Sequence, residues 1–143
     1  ATNIGIHLFD LLLWLFGEEE ATEVHQHSHD RASGFLKLEK AGVKWFLSIN
    51  ADTIPQNDSS MRTYRRLKMK NESFDFSYGF EDLHTHSYQE ILRGNGFGIE
   101  DCRKSIELTT RIRGFEIKKN KYPKHPLSQL EQAEHPFRKS FEG

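Results

Sequence analysis

The hydrophobic period of this chain switches from helical to alternating just after residue 17 and back to helical near residue 83, and that order limits the folds open to it. From Ile4 to Phe16 apolar residues fall at 4, 8, 11, 12 and 15, which is helical spacing, and Gly17 supplies a natural C-terminal stop. Thr2 or Asn3 stands where an N-cap is needed. Leu13, Trp14 and Phe16 widen the apolar surface, so this helix is expected to be buried on more than one side. From Thr22 the pattern alternates in short runs, broken at Ala32-Ser33-Gly34 and Lys40-Ala41-Gly42. It predicts antiparallel strands over 22–29, 34–39 and 43–51, the last two joined by a tight hairpin. Two more strands flank a turn at Lys70-Asn71-Glu72. Helical spacing then returns through Leu83, Tyr88, Ile91 and Leu92 and ends at Gly94. A final helix is expected over 99–113, with Ile99, Cys102, Ile106 and Leu108 or Thr109 inward.

A helix, then consecutive strands, then helices offers none of the strand–helix alternation from which parallel sheets are built. The expected class is therefore α+β, an open, largely antiparallel sheet with helices packed on one face. Residues 1–117 read as one domain, and 118–143, polar and holding three of the four prolines, as a tail or arm. A chain of 143 residues is long enough to bury a single core. Lys and Arg number 20 against 21 Asp and Glu, so bulk charge draws the chain to neither nucleic acid nor a membrane surface. Cys102 stands alone, which leaves no intramolecular disulfide and fits a reducing, cytoplasmic compartment. The apolar run 11–16 is too short to span a bilayer and has neither the basic leader nor the cleavage site of a signal peptide.

Several groupings bear on chemistry. Asn3 and His7 are four apart on one helix face, with Asp10 three further on. An imidazole there is either a packed, hydrogen-bonded core histidine or a general base, and spacing leaves both open. His25, His27 and His29 alternate and would share one side of a strand. No cysteine or carboxylate completes a zinc set beside them, so a solvated or subunit-facing sheet surface is expected and no metal site. Arg62, Tyr64 and Arg66 also alternate, two guanidiniums and a phenol able to grip a carboxylate or phosphate, or else an ordinary edge. "GNGFG" at 94–98 lacks the preceding parallel strand, the G-x-G-x-x-G spacing and a following Lys-Ser/Thr, and reads as a turn delivering the chain to a helix that opens with Glu100 and Asp101.

Taken together, "NIGIHLFDLLLWLFG", the antiparallel middle and "LHTHSYQEILRGNGFGIEDCRKSIELTTRIR" resemble the C-terminal domain of the Gfo/Idh/MocA family of NAD(P)-dependent oxidoreductases over about residues 2–115. The two ends carry the likeness, and the middle strands match in pattern. Within the family the sequence is most like the members that oxidise C3 of a UDP-N-acetylhexosaminuronate in lipopolysaccharide sugar synthesis. That resemblance implies a two-domain enzyme whose Rossmann domain holds NAD and supplies a catalytic lysine, neither of which is seen in this sequence. It implies that His7 is the acid/base residue, proton removal falling to His7 or to that lysine, and that Asn3 takes a position where many relatives have Asp, a substitution shared by sugar-nucleotide members. Asp10 fits a supporting position, and Arg62, Tyr64 and Arg66 become candidates for the uronate carboxylate or diphosphate. It also implies a UDP-sugar substrate, a homo-oligomer (dimer or tetramer) through the sheet, and a chain that is inactive alone. Another dehydrogenase of the family, or a non-catalytic binding or oligomerisation module, are the other readings open to the sequence.

Overall fold

The computed structural model describes residues 2–54, 63–79, 82–117 and 121–129, with the side chains of Thr2 and Asn3 outside the description. The elements in order are α1 (Thr2–Phe16), β1 (Glu19–His27), β2 (Arg31–Leu38), β3 (Gly42–Ser48), β4 (Arg66–Met69), β5 (Glu72–Asp75), α2 (Leu83–Leu92) and α3 (Ile99–Arg113). Single 3-10 turns stand at Ala51–Thr53 and Pro126–Gln129. The class is α+β, as expected. No helix among the described residues is long and apolar enough to cross a membrane. The chain divides into two compact units, one of residues 1–50 and 102–143, the other of 51–101.

In the first unit β1, β2 and β3 form an antiparallel sheet in that order. Helix α1 ends where its sequence says it should. Gly17 takes φ +86°, its N–H reaches Leu13 O at 3.0 Å, and the β2–β3 turn adds a second cap as Lys40 N–H donates to Phe16 O at 3.0 Å. The core joins Phe9 and Leu12 of α1, Val24, Leu36, Leu38 and Trp45 of the sheet, and Leu108 and Ile112 of α3. Alternation puts Gly34, Leu36, Trp45 and Leu47 on the face toward α1, where Phe9 stands edge-on to Trp45. Gly34 is required there, because a Cβ would lie 2.1 Å from Glu23 O and 2.6 Å from the Trp45 ring.

Helix α3 borders the C-terminal end of α1, with Lys104 paired to Glu18 and Arg111 to Glu19. Its inward stripe is Ser105, Leu108, Thr109 and Ile112; of the expected set Leu108 and Thr109 are buried and Cys102 is half-buried, while Ile106 and Ile99 are exposed, Ile99 by 75%. Hydroxyls can sit inside because they bond back to their own helix: Ser105 Oγ to Cys102 O at 2.8 Å and Thr109 Oγ1 to Ser105 O at 2.6 Å.

The second unit contains a hairpin of β4 and β5 and helix α2. Among the described residues the five strands therefore make a three-stranded sheet and a separate pair instead of one open sheet. The sequence of β4 and β5, "RLKM" against "ESFD", is polar, and of its residues only Leu67 is half-buried. Lys70 turns the hairpin with φ +52°, and α2 closes at Gly94, whose φ is +82°.

Candidate active site

Helix α1 has two unlike faces. Gly5, Phe9 and Leu12 are buried against the sheet, and a side chain at position 5 would come within 2.9 Å of Leu47. On the other side His7 and Asp10 are exposed, one turn apart, and Trp14 follows two turns from His7 with 80% of its surface open. The helix is thus buried on one side only, against the expectation of burial on several. Exposure of His7 also removes the packed core reading: the residue lies on the side of α1 turned away from the sheet. Asn3, expected beside it, has its side chain outside the described residues.

The phenol and guanidinium expected to act together do meet in the second unit. Arg66 lies over the Tyr64 ring at 5.0 Å, although the strand begins only at Arg66, so Tyr64 precedes it. Arg66 Nη2 also reaches Asp75 Oδ2 at 3.3 Å. Hydrogen bonds from the Ser77 side chain and backbone hold the Asp75 carboxyl below its usual range; burial opposes them slightly and Arg66 adds to them. Arg62 lies outside the described residues.

The histidine row is not a row. Register slips between Val24 and Gln26, leaving His25 in a bulge where its Nε2 stands 3.2 Å from Glu23 Oε2, while His27 pairs across to Ala32 and His29 lies beyond the strand. One extra residue cancels the alternation that would have put the three rings on one side. No group of three metal-ligating side chains occurs among the described residues.

The glycine-rich loop does not fit a dinucleotide. Gly94 caps α2 through its N–H to Ile91 O at 3.0 Å, and the Gly98 N–H before α3 is taken by the Asp101 carboxylate at 2.6 Å. No parallel strand pair accompanies it among the described residues. A polar cleft of about 370 Å³ lies at the far end of α1, between Glu18–Glu20 and Lys104, Glu107 and Arg111 of α3. His7 does not line it, and its charges are largely paired with one another.

Sequence reasoning passed over one buried cluster. Asp30, 3% exposed, accepts from Ser28 Oγ at 2.7 Å and Asn50 Nδ2 at 3.2 Å and pairs with the buried Arg31 through Nε at 3.3 Å. Burial alone would raise its carboxyl, but the Ser28 and Asn50 hydrogen bonds, with Arg31 and His29, outweigh it and leave the group below its usual range. The Ser-x-Asp-Arg turn at 28–31 was the available signal.

No family model matches the sequence. Solved structures do. The crystal structure of the WlbA (WbpB) dehydrogenase from Thermus thermophilus in complex with NAD and UDP-GlcNAcA is 40% identical, with a TM-score of 0.81 over 89% of this chain. Over most of its length this chain is thus similar to one part of a WlbA (WbpB) dehydrogenase. A second structure of the Thermus thermophilus enzyme, with NAD and alpha-ketoglutarate, is 41% identical with a TM-score of 0.80, again over 89% of the chain. In both cases the chain spans 42% of the WlbA chain it matches.

Proposed function

We propose that this chain is the substrate-binding and self-associating part of an NAD-dependent, cytoplasmic dehydrogenase that oxidises C3 of a UDP-N-acetylhexosaminuronate for lipopolysaccharide sugar synthesis. NAD is held mainly by the part of the enzyme outside these 143 residues, which are inactive alone. Such an oxidation removes a hydride from the sugar carbon and a proton from its hydroxyl, and the proton is the half this chain serves. His7 takes that proton as general base, with Asn3 donating a hydrogen bond to a substrate hydroxyl and Asp10 orienting the ring. Arg62, Tyr64 and Arg66 contact the uronate carboxylate or the diphosphate, a guanidinium being the natural partner for either. The sheet carries the contact between subunits.

One observation carries the reading. His7 projects from the unpacked face of α1, in a chain 40% identical to a dehydrogenase crystallised with NAD and UDP-GlcNAcA. The test is turnover of UDP-GlcNAcA with NAD by the longer enzyme and by its His7→Gln variant. A fall of about 10²–10⁴-fold in kcat is expected for loss of an acid/base group. Unchanged turnover would remove His7 from the chemistry, and failure of the parent enzyme to oxidise any UDP-sugar would overturn the substrate class.

A further inference from the structure

The segment Lys121–Gln129 lies across the sheet face that α1 leaves open. Phe35 and Phe46 alternate with Gly34 and Trp45, so they point away from α1. Tyr122 stacks on Phe35 with ring centroids 4.5 Å apart and planes 8° apart, and His125 stacks on Phe46 at 5.6 Å and 20°. Glu23, opposite Phe35 in the ladder, clasps the start of the segment. Its carboxylate accepts the Lys121 N–H at 2.9 and 3.1 Å and the Tyr122 N–H at 2.9 Å, while His25 Nε2 stands 3.2 Å away.

The other end depends on one ring nitrogen. Leu127 N–H donates to His125 Nδ1 at 3.1 Å, and Ser128 N–H donates to His125 O at 3.0 Å. Nδ1 can accept only while the imidazole is neutral with its proton on Nε2; a second proton turns the acceptor into a donor facing another donor. Among the described residues the nearby charges do little to offset that charge. Lys44 of β3 bears on the ring, and Lys121 and Lys124 lie on the segment itself. On β2, Lys37 is paired with Glu20 of β1 and Arg31 with Asp30. The Glu23 carboxylate is already committed to two backbone amides.

We propose that Lys121–Gln129 is a pH-operated strap over the outer face of the sheet: neutral His125 closes its C-terminal end, protonation of that ring releases it, and Glu23 keeps the other end clasped. Burial pushes the His125 imidazole below its ordinary range, with Lys44 adding to the effect. The closed strap therefore holds fewer protons than the open one at this site. Its stability is complete above the ordinary imidazole value of about 6.5 and is lost as pH falls through that value toward the lowered one. The Glu23 clasp is lost in the same direction but in a different pH range. Burial alone would raise its carboxyl, but hydrogen bonds from the Tyr122 backbone, His25 and the Lys121 backbone outweigh it and hold it low. That clasp persists until pH falls into the acidic carboxyl range, so the two ends release at separate pH values. The strap covers Phe35 and Phe46 on the sheet through which self-association was proposed above. Opening would free that face for a second copy of the chain, a link that rests on that reading; the strap does not.

Amide hydrogen exchange of this chain at about pH 7.5 and about pH 5.5, corrected for intrinsic rates, tests the proposal. The Leu127 and Ser128 amides are expected to lose protection by about tenfold per pH unit below the ordinary imidazole value, until the lowered one is reached, while Lys121 and Tyr122 keep theirs. In His125→Asn the amide oxygen takes the place of Nδ1, accepts from residue 127 as an Asx turn and does not titrate, so protection becomes flat with pH. Equal protection of Leu127 and Ser128 at both pH values, or the same loss in His125→Asn, overturns the strap. Light scattering on the same samples reads the link: mass rising at the lower pH only in the parent chain supports it. Opening without any change in mass overturns the link alone.

Discussion

Phe9 stands edge-on to Trp45, ring centroids 5.2 Å apart and planes at 85°, and the far side of the Trp45 indole lies over the bare backbone of Gly34. Helix, ring and glycine form one column through the first unit, and α1 presents His7 outward because Phe9 fixes its inward face. Gly34→Ala is expected to push the indole off its seat, since the new methyl would stand 2.6 Å from the ring and 2.1 Å from Glu23 O. Overpacking of this kind costs about 1–3 kcal/mol, more where backbone must move. Thermal unfolding followed by near-UV circular dichroism should show a lower Tm and a weakened Trp signal. An unshifted Tm would mean that the column tolerates a Cβ.

The Asp30 cluster makes a second prediction. Asp30→Ala leaves Arg31, whose side chain is 2% exposed, without its carboxylate, and breaking a buried pair by removing one partner costs about 3–5 kcal/mol. Acid should reproduce part of the effect. The Asp30 carboxyl is held below its usual range, so its contribution is present above the ordinary carboxyl value and is lost as pH falls through the lowered one. Urea midpoints measured between neutral and acidic pH should fall in the parent chain and fall less in Asp30→Asn, which has no charge left to lose.

How much of this could be read from residues alone follows the reach of each interaction. The stop at Gly17, the end at Gly94 and the span of α3 were legible because a helix end is set by its own few residues. The outward side of α1 was not. Trp14 and Ile4 look like core by composition, and only the positions of Phe9 and Trp45 show which side meets the sheet. Alternation sets His25, His27 and His29 on one side only in an unbroken ladder, and the extra residue in β1 is invisible until β2 is paired to it. The contact from Glu23 to Lys121 joins residues 98 apart, beyond any local pattern. Spacing alone puts His7 and Asp10 on neighbouring turns of one helix, while the exposure that sets aside a packed core histidine is supplied only by the fold.

Asp75 offers a local test of what organises the Tyr64–Arg66 pair. Its carboxyl is held low first by Ser77 and only lastly by Arg66. NMR titration of the Asp75 carboxyl should therefore move toward its ordinary value more in Ser77→Ala than in Arg66→Gln. The reverse order would make Arg66 a structural partner of Asp75, and so a poor candidate for gripping a substrate anion.

His7 and Phe9, two residues apart on α1, should separate chemistry from architecture. His7→Gln removes an exposed ring, and such substitutions change stability by no more than about 0.5 kcal/mol, so Tm should hold while turnover of the longer enzyme collapses. Phe9→Ala empties a fully buried site and costs about 3–5 kcal/mol, lowering Tm and loosening the seat from which His7 is presented. Phe9→Leu refills most of that volume and should restore much of both losses. The comparison is read from Tm and kcat measured on the same preparations. If His7→Gln lowers Tm as Phe9→Ala does, the imidazole is part of the scaffold. If Phe9→Ala leaves kcat intact at a temperature where the variant is folded, the column through Trp45 does not set the position of the base.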